Sequence, residues 1–262
     1  MRSEIASTTT DSIVIRGHDL AGELMGRIGY SDMLVLTALG RLPGAAERVL
    51  VDAIAVSVMD HGITPSSLAA RMTFLGAPES FQAAVAAGLL GAGSTFLGGM
   101  TEVCDLLREG AAELSPTSDD TEISAAADLL VARQAERGRK LPGLGHNVHS
   151  DGDPRVARLR EISRQNGFYD IHWTLLDALP DAFLRARGRH LPLNNVGAIG
   201  ASIAALGYPA EMGRGIALAA RAGGLIAHIL EEQADPSAKE TWEHILADME
   251  SDGDHEDGGI HG

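Results

Sequence analysis

The segment Leu141-Pro142-Gly143-Leu144-Gly145-His146-Asn147-Val148-His149-Ser150-Asp151-Gly152-Asp153-Pro154-Arg155 decides how the rest of the chain is read. Its first half is a glycine-flanked loop carrying His146. Its second half opens a helix, because Asp153 is a natural N-cap and Pro154 suits the first helical position. Arg155 then falls in the first turn, nine residues after His146. A loop histidine that glycines allow to approach closely, paired with a guanidinium fixed on a helix, suits a ligand bearing a polarised carbonyl and a carboxylate.

Outward from this segment the chain reads as helix after helix. Asp19 to Met25 forms a helical turn, and Ser31 caps a helix ending at Leu39 before Gly40. Ala45 to Met59 is apolar on nearly every face, which marks a central helix. Pro65 and Ser66 open the next, Ser80 to Leu90 follows, and a glycine-rich loop over 91–99 leads into a helix from Met100 to Arg108. Residues 109–120 form a linker, and Thr121 to Glu136 is amphipathic. Helices are expected over Pro154 to Gln165, Trp173 to Leu179, Glu211 to Glu232 and from Pro236 to Met249. Ile13–Ile15 is the best strand candidate. Residues 250–262 are acidic and glycine-rich and are expected to be a disordered tail. The expected class is all-α.

Composition narrows the function classes. The 262 residues carry a net charge of −15, and the sequence pI is about 5.0. No basic stripe is present, so nucleic acid is not an expected partner. The single cysteine, Cys104, excludes an internal disulfide and reads as a buried core thiol. No apolar segment follows a basic start and no apolar run reaches transmembrane length, so a cytoplasmic protein without membrane contact is expected. His146 and His149 have a His-x2-His spacing, but a metal site needs further ligands. Asp153 is better explained as a cap, so no metal is expected.

The spacing Pro-Gly-x-Gly-His-x8-Arg, with Asp-Pro before the arginine, resembles the citrate synthase and citryl-CoA lyase superfamily. Four further segments match in order: Asp60-His61-Gly62 through Arg71; Ala87-Gly88 through Gly98-Gly99; Pro192-Leu193-Asn194-Asn195-Val196-Gly197-Ala198; and Arg221-Ala222-Gly223-Gly224 through Glu232. The short length is closer to citryl-CoA lyase than to full-length citrate synthase. The resemblance implies a citrate-synthase-like, two-lobed helical fold with a cleft between large and small domains, and a homodimer. It divides the chain into a large domain over 1–102, a small domain over 103–195, the rest of the large domain over 196–249, and the tail over 250–262.

It also implies roles. His146 and His61 are the catalytic candidates, His61 either facing the substrate or capping the preceding helix. Arg155 and Arg221 would clamp substrate carboxylates. Gly143 and Gly145 would let backbone groups approach coenzyme A. Arg139 and Lys140 are either phosphate contacts or part of a solvated face. His228 is a site residue or a satisfied buried histidine. Two family positions are substituted: a histidine by Leu97, and the general-base aspartate by Val196. An aliphatic side chain carries no proton, so either another group is the base or the chemistry has moved. Glu102 is a possible replacement carboxylate or a favourable charge at a helix start. The leading expectation is retro-aldol cleavage of a 3-hydroxy-3-carboxyacyl-CoA to an acyl-CoA and a 2-oxo acid, with no cofactor beyond the thioester substrate. The alternatives are the reverse condensation and a non-catalytic acyl-CoA-binding protein.

Overall fold

The computed structural model describes residues 3–93, 97–145 and 152–253. His146, His149, Asp151 and part of the glycine-rich loop therefore lie outside the described residues. A three-stranded antiparallel meander opens the chain, with β1 (Ala6–Thr8), β2 (Ile13–Ile15) and β3 (His18–Asp19) paired in that order. The expected strand is its middle member. A π-helical turn over Leu20–Leu24 follows, capped by the Asp19 side chain.

Beyond this meander the described residues are mostly helical. The helices are α1 (Tyr30–Leu39), α2 (Ala45–Val58), α3 (Pro65–Gly76), α4 (Phe81–Gly91), α5 (Gly99–Ala111), α6 (Asp120–Glu136), α7 (Pro154–Gln165), α8 (Ile171–Arg187), α9 (Asn195–Ala205), α10 (Glu211–Ala234) and α11 (Ala238–Gly253). Their starts follow local chemistry. Asp119 accepts the Thr121 and Glu122 N–H groups while Glu122 accepts the N–H of Asp119, a complete capping box at α6. Asp153 caps α7 with Pro154 at its first position, as the sequence predicts.

Several boundaries differ from expectation. Ser31 lies inside α1. Gly29 is the cap, its N–H held by Asp32 at 2.9 Å, and Ser31 donates instead to Asp52 of α2. α8 runs straight through Pro180, since Trp173, Leu175, Leu176, Leu179 and Ala182 form a fully buried stripe that outweighs the missing N–H. α2 is not buried all round: Leu50, Val51 and Ile54 are inside, while Val49 is 45% and Val56 73% exposed. α11 continues to Gly253, so the first residues of the expected tail are helical. Residues 254–262 lie outside the described residues.

Two compact units share the chain, one of residues 1–57 and 97–217, the other of residues 58–96 and 218–262. The sequence division placed its cuts elsewhere, at 102/103 and 195/196. Close packing at α5 and α9 ties the first unit together. In the first unit Gly200 of α9 lies on α5, where a Cβ would come 2.5 Å from Val103 Cγ1 and 3.1 Å from the Cys104 nitrogen. Gly110 of α5 is pressed against Leu175 of α8 and Leu130 of α6 in the same way. Cys104 is completely buried there, and burial pushes its thiol up to about 11. The core of the second unit is Ala70, Phe74, Ala84, Leu225 and Ile229, with Phe81, Val85 and Leu89 around it.

The α5–α9 seam yields a test. Val103 is β-branched and the Cys104 backbone cannot retreat, so Gly200→Val should lower the unfolding free energy by about 1–3 kcal/mol despite the better helix propensity. Urea unfolding followed by far-UV circular dichroism measures it, and an unchanged midpoint would show that the seam is loose.

Candidate functional site

In the first unit, the first turn of α9 is a meeting point. The main chain at Gly143 to Gly145 lies beside Pro192 to Asn194, with Gly145 N–H donating to the Pro192 carbonyl at 2.7 Å and Leu144 bridging to Leu193. Asn194 clamps the same segment twice. Its N–H donates to the Gly143 carbonyl at 3.0 Å and its amide Nδ2 to the Gly145 carbonyl at 2.7 Å. Its Oδ1 also caps α9 by accepting Gly197 N–H. Gly143 has φ +85°, and a Cβ there would sit 3.0 Å from Gly197 Cα. A side chain at either position would force the loop off the helix.

Asp153 reaches the same turn from α7. Its side chain is fully buried, and one oxygen accepts Asn195 N–H at 3.0 Å. Both oxygens also hold Arg155, from Nε at 2.9 Å and Nη2 at 2.7 Å. Arg155 Nη1 donates to the Ser57 carbonyl, and Asn195 Nδ2 to the Ser57 hydroxyl at 3.1 Å. Burial pushes the Asp153 carboxyl up, but Arg155 and the N–H groups of Arg155 and Asn195 outweigh this and hold it below the usual carboxylate range. It is therefore an ionised group at a helix N-terminus, where negative charge is favoured. Val196 stands next in the turn, half-buried, packed over Gly99. Leu97 is 6% exposed.

The second unit holds a separate polar cluster. Arg71 of α3 is only 4% exposed and donates to Glu232 at 2.8 Å, to Glu231, and to His228 Nδ1 at 3.0 Å from Nη2. His228 Nε2 faces Asp60 Oδ2 at 2.9 Å. Asp60 Oδ1 accepts Gly62 N–H at 2.7 Å, closing the turn that carries the exposed His61. Burial works against the Arg71 charge, and Glu232 and Glu231 more than offset it, so its pKa is raised. Glu232 is likewise opposed by burial, yet its pKa is lowered by Ala238 N–H, Arg71 and Ser237. Arg221 lies on α10 two turns before His228, 6% exposed.

A model of the citrate synthase C-terminal domain matches residues 5–241. The chain belongs to the citrate synthase family. It is 31% identical to putative citrate synthase 2 of Mycobacterium tuberculosis over 187 residues, which are 70% of this chain and 47% of that protein. It is 26% identical to the citrate synthase of Haloferax volcanii over 215 residues, 79% of this chain and 54% of the other. The chain thus spans about half the length of the curated relatives it matches. The solved citryl-CoA lyase of Hydrogenobacter thermophilus is similar over 91% of this chain and 89% of its own, with TM-score 0.79 and 30% identity.

Against this family frame the expected residues fall into two sets. Gly143, Gly145, Arg155 and Val196 gather around the first turn of α9, but with internal duties. Both glycines spend their backbone groups on Pro192 and Asn194, and Arg155 is gripped edge-on by Asp153. Arg139 and Lys140 are exposed beyond the end of α6. His61, Arg221 and His228 belong to the second unit. His146 lies outside the described residues. Glu102 is exposed in the first turn of α5, where the helix start accounts for its charge. The sequence reading missed Asp153 as more than a cap, and Asp60 and Arg71 as a network. A signal for the second was present: the one charged residue of α3, Arg71, matched by His228, Glu231 and Glu232 at helical spacing on α10.

Asp153→Asn keeps a good cap but removes the charge, and should cost about 1–3 kcal/mol at pH 7. Because the folded pKa is lowered, this contribution is complete above the unfolded value of about 3.9 and is lost as the pH falls through the folded value. The gap between wild type and variant should therefore be widest near neutrality and close in acid. Urea titrations at a series of pH values test this, and a gap that does not change with pH would show that the Asp153 charge is not the source.

Proposed function

We propose that this citrate synthase family member is a citryl-CoA-lyase-like enzyme that cleaves a 3-hydroxy-3-carboxyacyl-CoA. The observation that carries this reading is the likeness to the solved citryl-CoA lyase, with TM-score 0.79 and 30% identity over 91% of this chain and 89% of the other. In the reaction a base takes the proton of the 3-hydroxyl. The carbinol becomes the keto group of a 2-oxo acid, the carbon–carbon bond breaks, and its electron pair leaves as the enolate of the thioester. A proton returned to the enolate carbon completes the acyl-CoA. His61 or His146 supplies the base near neutral pH, donors at the thioester oxygen stabilise the enolate, and Arg155 and Arg221 hold carboxylates. Coenzyme A enters as part of the substrate, and a homodimer is the working form.

Val196 favours a second reading. Condensation must draw a proton from the α-carbon of an acyl-CoA, and the position the family uses for that base is aliphatic here. A chain that binds thioesters without turning them over fits the same residue.

Mass spectrometry of products from (3S)-citryl-CoA and related 3-hydroxyacyl-CoA thioesters tests the proposal. Wild type should release an acyl-CoA and a 2-oxo acid, and His146→Ala should not. Arg155→Lys keeps the charge beside Asp153 but loses the planar fork, and should lower kcat/KM at least about tenfold. Bound thioester with no product across the panel would replace the lyase with a binding protein. A gain of condensation in Val196→Asp would show that the synthase lacks one group only.

A further inference from the structure

The polar cluster of the second unit is built more tightly than a solvated ion pair needs to be. Arg71 presents only donors, so His228 Nδ1 must accept and carries no proton. The ring proton is then on Nε2, and His228 donates it to Asp60 Oδ2. Arg71 itself is fixed by Glu232, a carboxylate 3% exposed that also accepts the N–H groups of Ser237 and Ala238 and the Ser237 hydroxyl. The order Glu232–Arg71–His228–Asp60 therefore runs in one direction, each group setting the next. Asp60 is the first member to emerge, with its side chain 46% exposed.

The backbone of the turn is held as well. At Gly224 of α10 a Cβ would overlap the Met59 carbonyl oxygen and come within 3.3 Å of Asp60 Oδ2. The chain at Met59–Asp60 thus lies directly on the helix, in space that glycine alone leaves. On its other side Ser67 Oγ donates to the Gly62 carbonyl at 3.2 Å. Gly62 itself has φ +69°. His61 is the exposed residue between these fixed points.

We propose that Arg71 and His228 are positioning residues that hold the Asp60–Gly62 turn, and through it the His61 side chain, in a single orientation. The assignment rests on the reading of His61 as a catalytic group. The two glutamates more than offset the Arg71 charge, so the network holds no free positive charge for an anionic ligand. Its product is geometry: a directed hydrogen bond onto Asp60.

Nuclear magnetic resonance of the full chain labelled with 15N-histidine, together with the lyase assay, tests this. In wild type at pH 7 the His228 ring should show a bare Nδ1 and a protonated Nε2. His228→Leu removes the hydrogen bonds to Arg71 and Asp60 and should move the His61 ring signals. It should also lower kcat for (3S)-citryl-CoA at least about tenfold while KM changes less than about twofold. His228→Gln can donate to Asp60 and accept from Arg71, and should restore both readouts most of the way. Should the leucine variant not fold, Asp60→Asn tests the same link at a half-exposed residue, and it should move the His61 signals too. A protonated His228 Nδ1, or His61 signals and kcat unchanged in a folded variant, would overturn the proposal. If wild type cleaves no thioester, the lyase reading fails by itself, and the ring signals alone decide whether the turn is positioned.

Discussion

One buried carboxylate organises the first unit. Asp153 caps α7, accepts a backbone N–H from the first turn of α9, and closes both edges of a bidentate pair with Arg155. Burying a charge is costly unless every lone pair is occupied, and here they are. The cost is met by groups that need partners in any case: the unbonded N–H groups at two helix starts and an arginine of the first turn. Removing the carboxylate would strand all of them together. The loop from Gly143 to Gly145 and the end of α2 at Ser57 take their places around this arrangement.

The second unit solves a similar problem with the sign reversed. There the buried centre is a cation, Arg71, and the carboxylates on it, Glu231 and Glu232, come from the end of α10. Neither cluster is an unpartnered reactive group awaiting a ligand. Each is a framework built around a fully paired buried charge, with its functional candidates at the margin: Arg155 part-exposed at one, His61 exposed at the other. Such an arrangement separates rigid, fully paired groups from side chains that reach the surface.

Much of the fold was legible because it is written in local chemistry. Asp153-Pro154 placed the start of α7 to the residue, and Asn194 and Asp119 sit where helices begin. The signature loop and its companion segments led to the right family. What was not legible depends on partners distant in sequence. Pro180 continues a helix because five neighbouring side chains are buried by other elements. Val49 and Val56 are outside because α2 presents only one face to the core, which composition cannot say. The first compact unit depends on contacts such as that of Gly200 with Val103, which meet across 97 positions, and a glycine gives no sequence signal of what it lies against. Asp153 was recognised as a cap, but its hold on Asn195 required the two helix starts to be seen together.

The Asp153–Arg155 pair has one consequence for how anions are met. The pair is internally neutral, so its field falls away within a few ångströms, well short of the screening length of about 8–10 Å at ordinary ionic strength. The whole chain meanwhile carries −15. A negatively charged molecule is therefore not drawn in from a distance by this arginine, and the protein as a whole repels it. Encounter with such a molecule is limited by charge repulsion that dissolved salt relieves, so association quickens as ionic strength rises, the reverse of an electrostatically steered site.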